Sequence, residues 1–125
     1  MYGVGATDTL YGMDAGTGKE IWNYTAGGDV DTSPTVLNGT VYFGSDDKYQ
    51  YALNAETGKK EWNYTTGGKI RSEPTAYNGT VYFGSNDKKV YALDPLSGEG
   101  LWNYTTGGAV ESSPTVADGA VFLGD

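Results

Sequence analysis

Neither cysteine nor histidine occurs in the 125 residues. Without Cys there are no disulfides and no thiolate metal sites. Without His the commonest general base and metal ligand is missing. No stretch repeats apolar residues at i, i+3, i+4 and i+7 for long enough to make a helix. No apolar run reaches the roughly 18 residues that span a bilayer as a helix. Positive charge is scarce as well: 8 Lys and Arg stand against 16 Asp and Glu, a net charge of −8. That balance argues against the clustered basic surfaces that bind nucleic acids and anionic membranes. The acidic residues are scattered through turns, as on a solvated surface. Met1 runs directly into Tyr2-Gly3-Val4-Gly5, which reads as strand rather than as a signal peptide. The expectation is therefore a chain that is cytoplasmic, already processed, or part of something longer.

What is present is glycine, aromatic rings and β-branched residues: 20 Gly, 11 Tyr and 3 Trp, a mixture that favours strands and tight turns. It is also repeated. Trp22, Trp62 and Trp102 are 40 residues apart, as are Pro34, Pro74 and Pro114, and Gly39, Gly79 and Gly119. Residues 41–80 and 81–120 share about 22 identities without a gap. Each copy carries four strand signals. In the central one, Ser72–Tyr77 is a short strand opened by a proline, and Asn78-Gly79 supplies the two positive-φ residues of a type I′ turn. Thr80–Ser85, Val90–Leu93 and Leu101–Thr105 follow, and Gly107-Gly108 leads onward. Four antiparallel strands in 40 residues is the size of a β-propeller blade, so the fold class is all-β. The single domain 1–125 divides into a partial blade (1–26), blades 30–66 and 70–106, and a second partial blade (110–125).

The turn before each tryptophan carries a family resemblance. Gly12-x-Asp14-x-x-Thr17-Gly18-Lys19-x-x-Trp22, Ala52-x-Asn54-x-x-Thr57-Gly58-Lys59-x-x-Trp62 and Ala92-x-Asp94-x-x-Ser97-Gly98-Glu99-x-x-Trp102 resemble the tryptophan-docking motif of the pyrroloquinoline-quinone-type (PQQ-like) propeller repeats. The resemblance covers the whole chain. It implies that Trp22, Trp62 and Trp102 pack onto the next blade, with Asp14, Asn54, Asp94, Gly18, Gly58 and Gly98 shaping the turns. The residue types suit that role independently: Asp or Asn before Thr-Gly makes a side-chain-capped turn with Gly left-handed, and a flat indole can cover a gap between sheets.

Closed propellers hold about four to eight blades, and about three are present here. The end blades would expose apolar faces and strand edges. The expectation is completion either by a longer parent protein or by identical chains meeting head to tail, with a dimer favoured. Relatives of this kind also imply an extracytoplasmic location, periplasmic or at the cell surface.

Quinoprotein dehydrogenases share the repeat, and the resemblance implies a vicinal Cys pair, a Trp beneath the cofactor and an Asp base. Cys is absent and all three Trp lie in docking motifs, so no catalytic residue, cofactor or metal site is assigned. The preferred reading is a non-catalytic protein-interaction scaffold. The alternative is a fragment of a PQQ- and calcium-dependent dehydrogenase. The acidic turns Ser45-Asp46-Asp47 and Ser85-Asn86-Asp87 offer too few oxygens for Ca²⁺ and read as solvated hairpin turns. Five Asn-x-Thr sequons, at Asn23, Asn38, Asn63, Asn78 and Asn103, raise the question of glycosylation, although the Asn-Gly pairs are explained by the I′ turn alone.

Overall fold

Asn38-Gly39, Asn78-Gly79 and Asp118-Gly119 each place two consecutive residues at positive φ, near 50° and then 75–78°, the backbone that a two-residue I′ hairpin requires. These turns punctuate the computed structural model, which describes the backbone of residues 2–4 and 8–125 and the side chains from residue 8 onward. Strands β1 (Tyr2–Val4), β2 (Thr9–Met13) and β3 (Glu20–Thr25) form a three-stranded sheet. Strands β4 (Thr35–Leu37), β5 (Thr40–Gly44), β6 (Tyr49–Asn54) and β7 (Lys60–Thr65) form a four-stranded one. Its counterpart comprises β8 (Thr75–Tyr77), β9 (Thr80–Gly84), β10 (Lys89–Leu93) and β11 (Gly100–Thr105). A final hairpin pairs β12 (Thr115–Ala117) with β13 (Ala120–Phe122). Every pairing is antiparallel and sequential. No helix occurs among the described residues.

Two apolar cores lie between successive sheets. The first joins Leu10, Trp22 and Val30 to Val41, Phe43, Tyr51 and Leu53. The second joins Tyr42, Ala52, Trp62 and Ile70 to Val81, Phe83, Tyr91 and Leu93. Burial follows from this stacking. Strand β5 is buried at all five positions because both its faces are covered, whereas outer strand β7 buries Trp62 alone and half-buries Tyr64. Each fully buried large apolar side chain in such a layer contributes about 1.5–3 kcal/mol. Strand β11 is exposed along its whole length.

The inner strands are shorter than the sequence suggests. Ser72 lies outside β8, which begins at Thr75. Its hydroxyl accepts from the Gly84 N–H at 3.1 Å and donates to the Ser112 carbonyl at 2.9 Å, so it bonds sideways to the next repeat instead of joining the ladder. Pro74, which has no N–H to give, contributes its carbonyl to the Thr35 hydroxyl of the neighbouring inner segment. The Thr75 hydroxyl reaches Pro114 in the same way. The innermost strands of successive sheets are thus tied at their entrances.

Candidate functional site: the tryptophan seats and the acidic turns

The turn between the third and fourth strands is built from its own side chains. An Asp14 carboxylate oxygen accepts from the N–H groups of Gly16 and Thr17, both at 2.8 Å. Asn54 accepts from Glu56 and Thr57 at 2.9 and 3.0 Å, and Asp94 from Leu96 and Ser97 at 2.9 and 3.1 Å. An amide oxygen serves as well as a carboxylate, which is why Asn replaces Asp here without loss of shape. The N–H bonds from Thr17 and then Gly16 hold the Asp14 carboxyl below its ordinary range, and those from Ser97 and then Leu96 do the same for Asp94. Position 19 and its repeats contribute only backbone to this turn: Asp14, Asn54 and Asp94 N–H donate to the carbonyls of Lys19, Lys59 and Glu99. Replacing Lys by Glu therefore leaves these bonds intact.

These turns receive an indole from the preceding sheet. Trp22 Nε1 donates to the Ala55 carbonyl at 2.8 Å, and Trp62 Nε1 to that of Pro95 at 2.8 Å. The rings lie over Gly58 and Gly98, which sit at φ +74° and +75°. A Cβ at Gly58 would meet Trp22 at 2.7 Å, and one at Gly98 would meet Trp62 at 2.6 Å. Glycine is required twice over, by the left-handed backbone and by the ring. Trp22 and Trp62 are each 8% exposed, while Trp102 is 45% exposed. Gly18 has the same positive φ, yet no atom of the described residues stands within 4 Å of its Cβ position.

The acidic turns differ from the solvated hairpins that the sequence suggests. Asp47 accepts from the Gly27 N–H at 3.0 Å, from the Tyr49 N–H at 3.0 Å and from the Tyr51 hydroxyl. Asp87 repeats the pattern with Gly67, Lys89 and Tyr91. Ser45 and Ser85 are fully buried and donate to the Gly28 and Gly68 carbonyls at 2.9 and 3.2 Å. Each turn thus staples the connector entering its sheet, and at Gly28 the approach is close enough to put a Cβ 2.7 Å from the Asp47 nitrogen. Burial, and next the bond to the aspartate, push the Tyr51 and Tyr91 hydroxyls well above their ordinary pKa. The recurrence of Ser45/Ser85 and Asp47/Asp87 at the repeat spacing was the available signal for this role. The sequons are dispersed: Asn38 and Asn78 occupy I′ turns, and Asn23, Asn63 and Asn103 lie exposed on outer strands.

Stacked four-stranded antiparallel sheets joined in this way define a partial β-propeller. The chain belongs to the family described as outer membrane protein assembly factor BamB, whose profile matches residues 1–125. The fold is similar to BamB from Moraxella catarrhalis, with a TM-score of 0.88 at 22% identity over 98% of this chain and 38% of that one. The quinohemoprotein alcohol dehydrogenase ADHIIG from Pseudomonas putida HK5 aligns with a TM-score of 0.76 at 26% identity, over 84% of this chain and 19% of that one. The computationally designed Ika4 protein aligns with a TM-score of 0.83 at 19% identity, over 94% of this chain and 73% of that one. No curated protein matches the chain. The chain therefore spans well under half the length of the two natural proteins it matches here.

Proposed function

We propose that the chain is a non-catalytic propeller module that acts as a protein-binding scaffold outside the cytoplasm, in a ring completed by further blades. In this role Trp22 and Trp62 lock successive blades, Asp14, Asn54 and Asp94 shape the receiving turns, and Gly18, Gly58 and Gly98 are the seats. The family membership supports the scaffold and the location.

The observation that carries the non-catalytic part is the state of the carboxylates. Among the described residues, Asp29, Asp31 and Asp46 are the group close enough to share a cation. Asp46 is already bound by Arg71, with Nη2 at 3.0 Å and Nε at 3.2 Å, and Arg71 Nε lies 3.7 Å from Asp31. A guanidinium fork occupies the positions that a calcium shell of about six to eight oxygens would need. Asp47 and Asp87 are spent on tyrosines and connectors. Trp22 and Trp62 are spent between sheets and Trp102 lies on the outer strand β11, so no indole among the described residues stands on an inner strand. The residues present do not fit PQQ and Ca²⁺.

The second reading, a fragment of a quinoprotein dehydrogenase, draws support from the 26% identity to an alcohol dehydrogenase but not from the donor set. Reconstitution separates the two. Adding PQQ and Ca²⁺ should leave tryptophan fluorescence unchanged and produce no alcohol- or sugar-dependent reduction of an artificial electron acceptor. Turnover dependent on added PQQ would overturn the scaffold reading.

A further inference from the structure

Within the chain, one repeat binds the next by a fixed set of contacts, and that set is left half-made at both ends. Among the described residues, no turn receives Trp102 and no ring covers Gly18. Tyr24 meets Tyr51 at 5.6 Å between ring centres, and Tyr64 meets Tyr91 at 5.7 Å. Tyr104, next in that series, is 67% exposed, and Tyr11, the repeat equivalent of Tyr51 and Tyr91, is 38% exposed against their 5% and 6%. A cavity of about 530 Å³ lies where the missing ring would go, between Val90, Trp102 and Tyr104 on one side and Val121 and Leu123 on the other.

We propose that these ends are mates, and that the chain binds a second copy of itself head to tail through Trp102 and the Asp14–Gly18 turn. This rests on the reading of the chain as a propeller module. The series sets the contacts. The Trp22 and Trp62 acceptors lie 33 residues onward, and the equivalent carbonyl for Trp102 is that of Ala15 in the second copy. Its ring covers Gly18 of that copy, and Tyr11 of that copy enters the cavity against Tyr104. Strands β12 and β13 of one chain and β2 and β3 of the next supply four strands in the order of the complete sheets. Strand β13 takes the place of β1, because Tyr2–Val4 occupies the repeat position of Phe122–Gly124 three repeats later. Two joints of this kind, one at each end, would bring two chains to about six blades, a count within the range of propellers.

The test uses the 125-residue chain, of 13.3 kDa, in sedimentation equilibrium, with far-ultraviolet circular dichroism on the same samples. The expected result is a β-rich species of twice the chain mass. Trp102→Ala removes the knob and weakens association by roughly 30-fold or more, as for an interface hot spot. Gly18→Asn blocks the seat without disturbing the lone chain, because Asn tolerates the left-handed region and no described residue stands near that Cβ. Each variant alone is expected at the monomer mass, still β-rich. Their equimolar mixture should recover a two-chain species through the one joint that remains intact, Trp102 of the Gly18→Asn chain on Gly18 of the Trp102→Ala chain. A β-rich wild-type monomer at tens of micromolar overturns the proposal and assigns the end faces to further repeats of a longer chain. Association that either substitution leaves unweakened also overturns it. A chain without β signature would instead defeat the module reading itself.

Discussion

Gln50 is fully buried, and neither its Nε2 nor its Oε1 has a protein partner. The repeat places Leu10 and Val90 at the same position, so the site is shaped for a branched apolar side chain and holds an amide. A buried polar group left unpaired costs about 1–3 kcal/mol. Gln50→Leu is therefore expected to raise stability by about 1 kcal/mol or more, read as a higher urea midpoint with unchanged slope. Trp62 and Tyr49 provide the opposite contrast. Trp62 is buried between sheets and bonded to Pro95, and its truncation to Ala should cost about 3–5 kcal/mol. Tyr49 is 36% exposed and meets the Tyr51 ring with centres 6.0 Å apart. Tyr49→Ala should cost about 1 kcal/mol or less. Equal shifts in melting temperature would remove the packing role assigned to Trp62.

At the level of the element, the turn Ser45–Lys48 does more than reverse the chain. Its carboxylate holds a connector N–H and a tyrosine hydroxyl together, and hydrogen bonds to a charged group are worth about 1.5–3 kcal/mol each. Asp87→Ala should accordingly destabilise by more than a typical surface substitution, by about 2 kcal/mol or more, in equilibrium denaturation. The same pairs set an alkaline limit. Below the ordinary tyrosine value of 10.0, Tyr51 and Tyr91 keep their protons in the folded and unfolded chain alike. Above it the unfolded chain ionises first, so stability falls as pH rises. Melting temperatures between pH 8 and 11 should show this fall, and Tyr51→Phe with Tyr91→Phe should flatten it. On the acid side, the lowered carboxyls of Asp14 and Asp94 stabilise above the ordinary value of 3.8, and that contribution is lost as pH falls through their folded values. These turns were also where the sequence was least informative. Asp46-Asp47 reads as surface charge because the connector it binds, Gly27-Gly28, lies about 20 residues earlier and nothing local announces the contact. The Asn-Gly hairpins and the Asp-x-x-Thr-Gly turn were legible because their chemistry is contained within a few residues. The lengths of β4, β8 and β12 were not, because sideways bonds such as Ser72 to Ser112 compete with the ladder.

For the molecule as a whole, the stacking order followed from the 40-residue spacing, since equal repeats can bury their apolar faces only on one another. What no spacing could reveal was which tryptophans are seated. Trp22, Trp62 and Trp102 are each followed by Asn-Tyr-Thr, and only the arrangement in space separates two buried rings from one exposed ring.

The constant reach of the indole bond has a kinetic meaning. Both Trp22 and Trp62 find their acceptors 33 residues onward, and the described strands pair with their sequence neighbours. The contacts that join sheets therefore stay at one short range, however many repeats are strung together. Loop-closure entropy per docking step is then the same at every joint, and folding can begin at any pair of sheets and spread. All-β architectures usually fold slowly because their pairings are distant. An added repeat here should leave the refolding rate nearly unchanged while slowing unfolding, as a zipper lengthened at one end still starts as readily but takes longer to come undone.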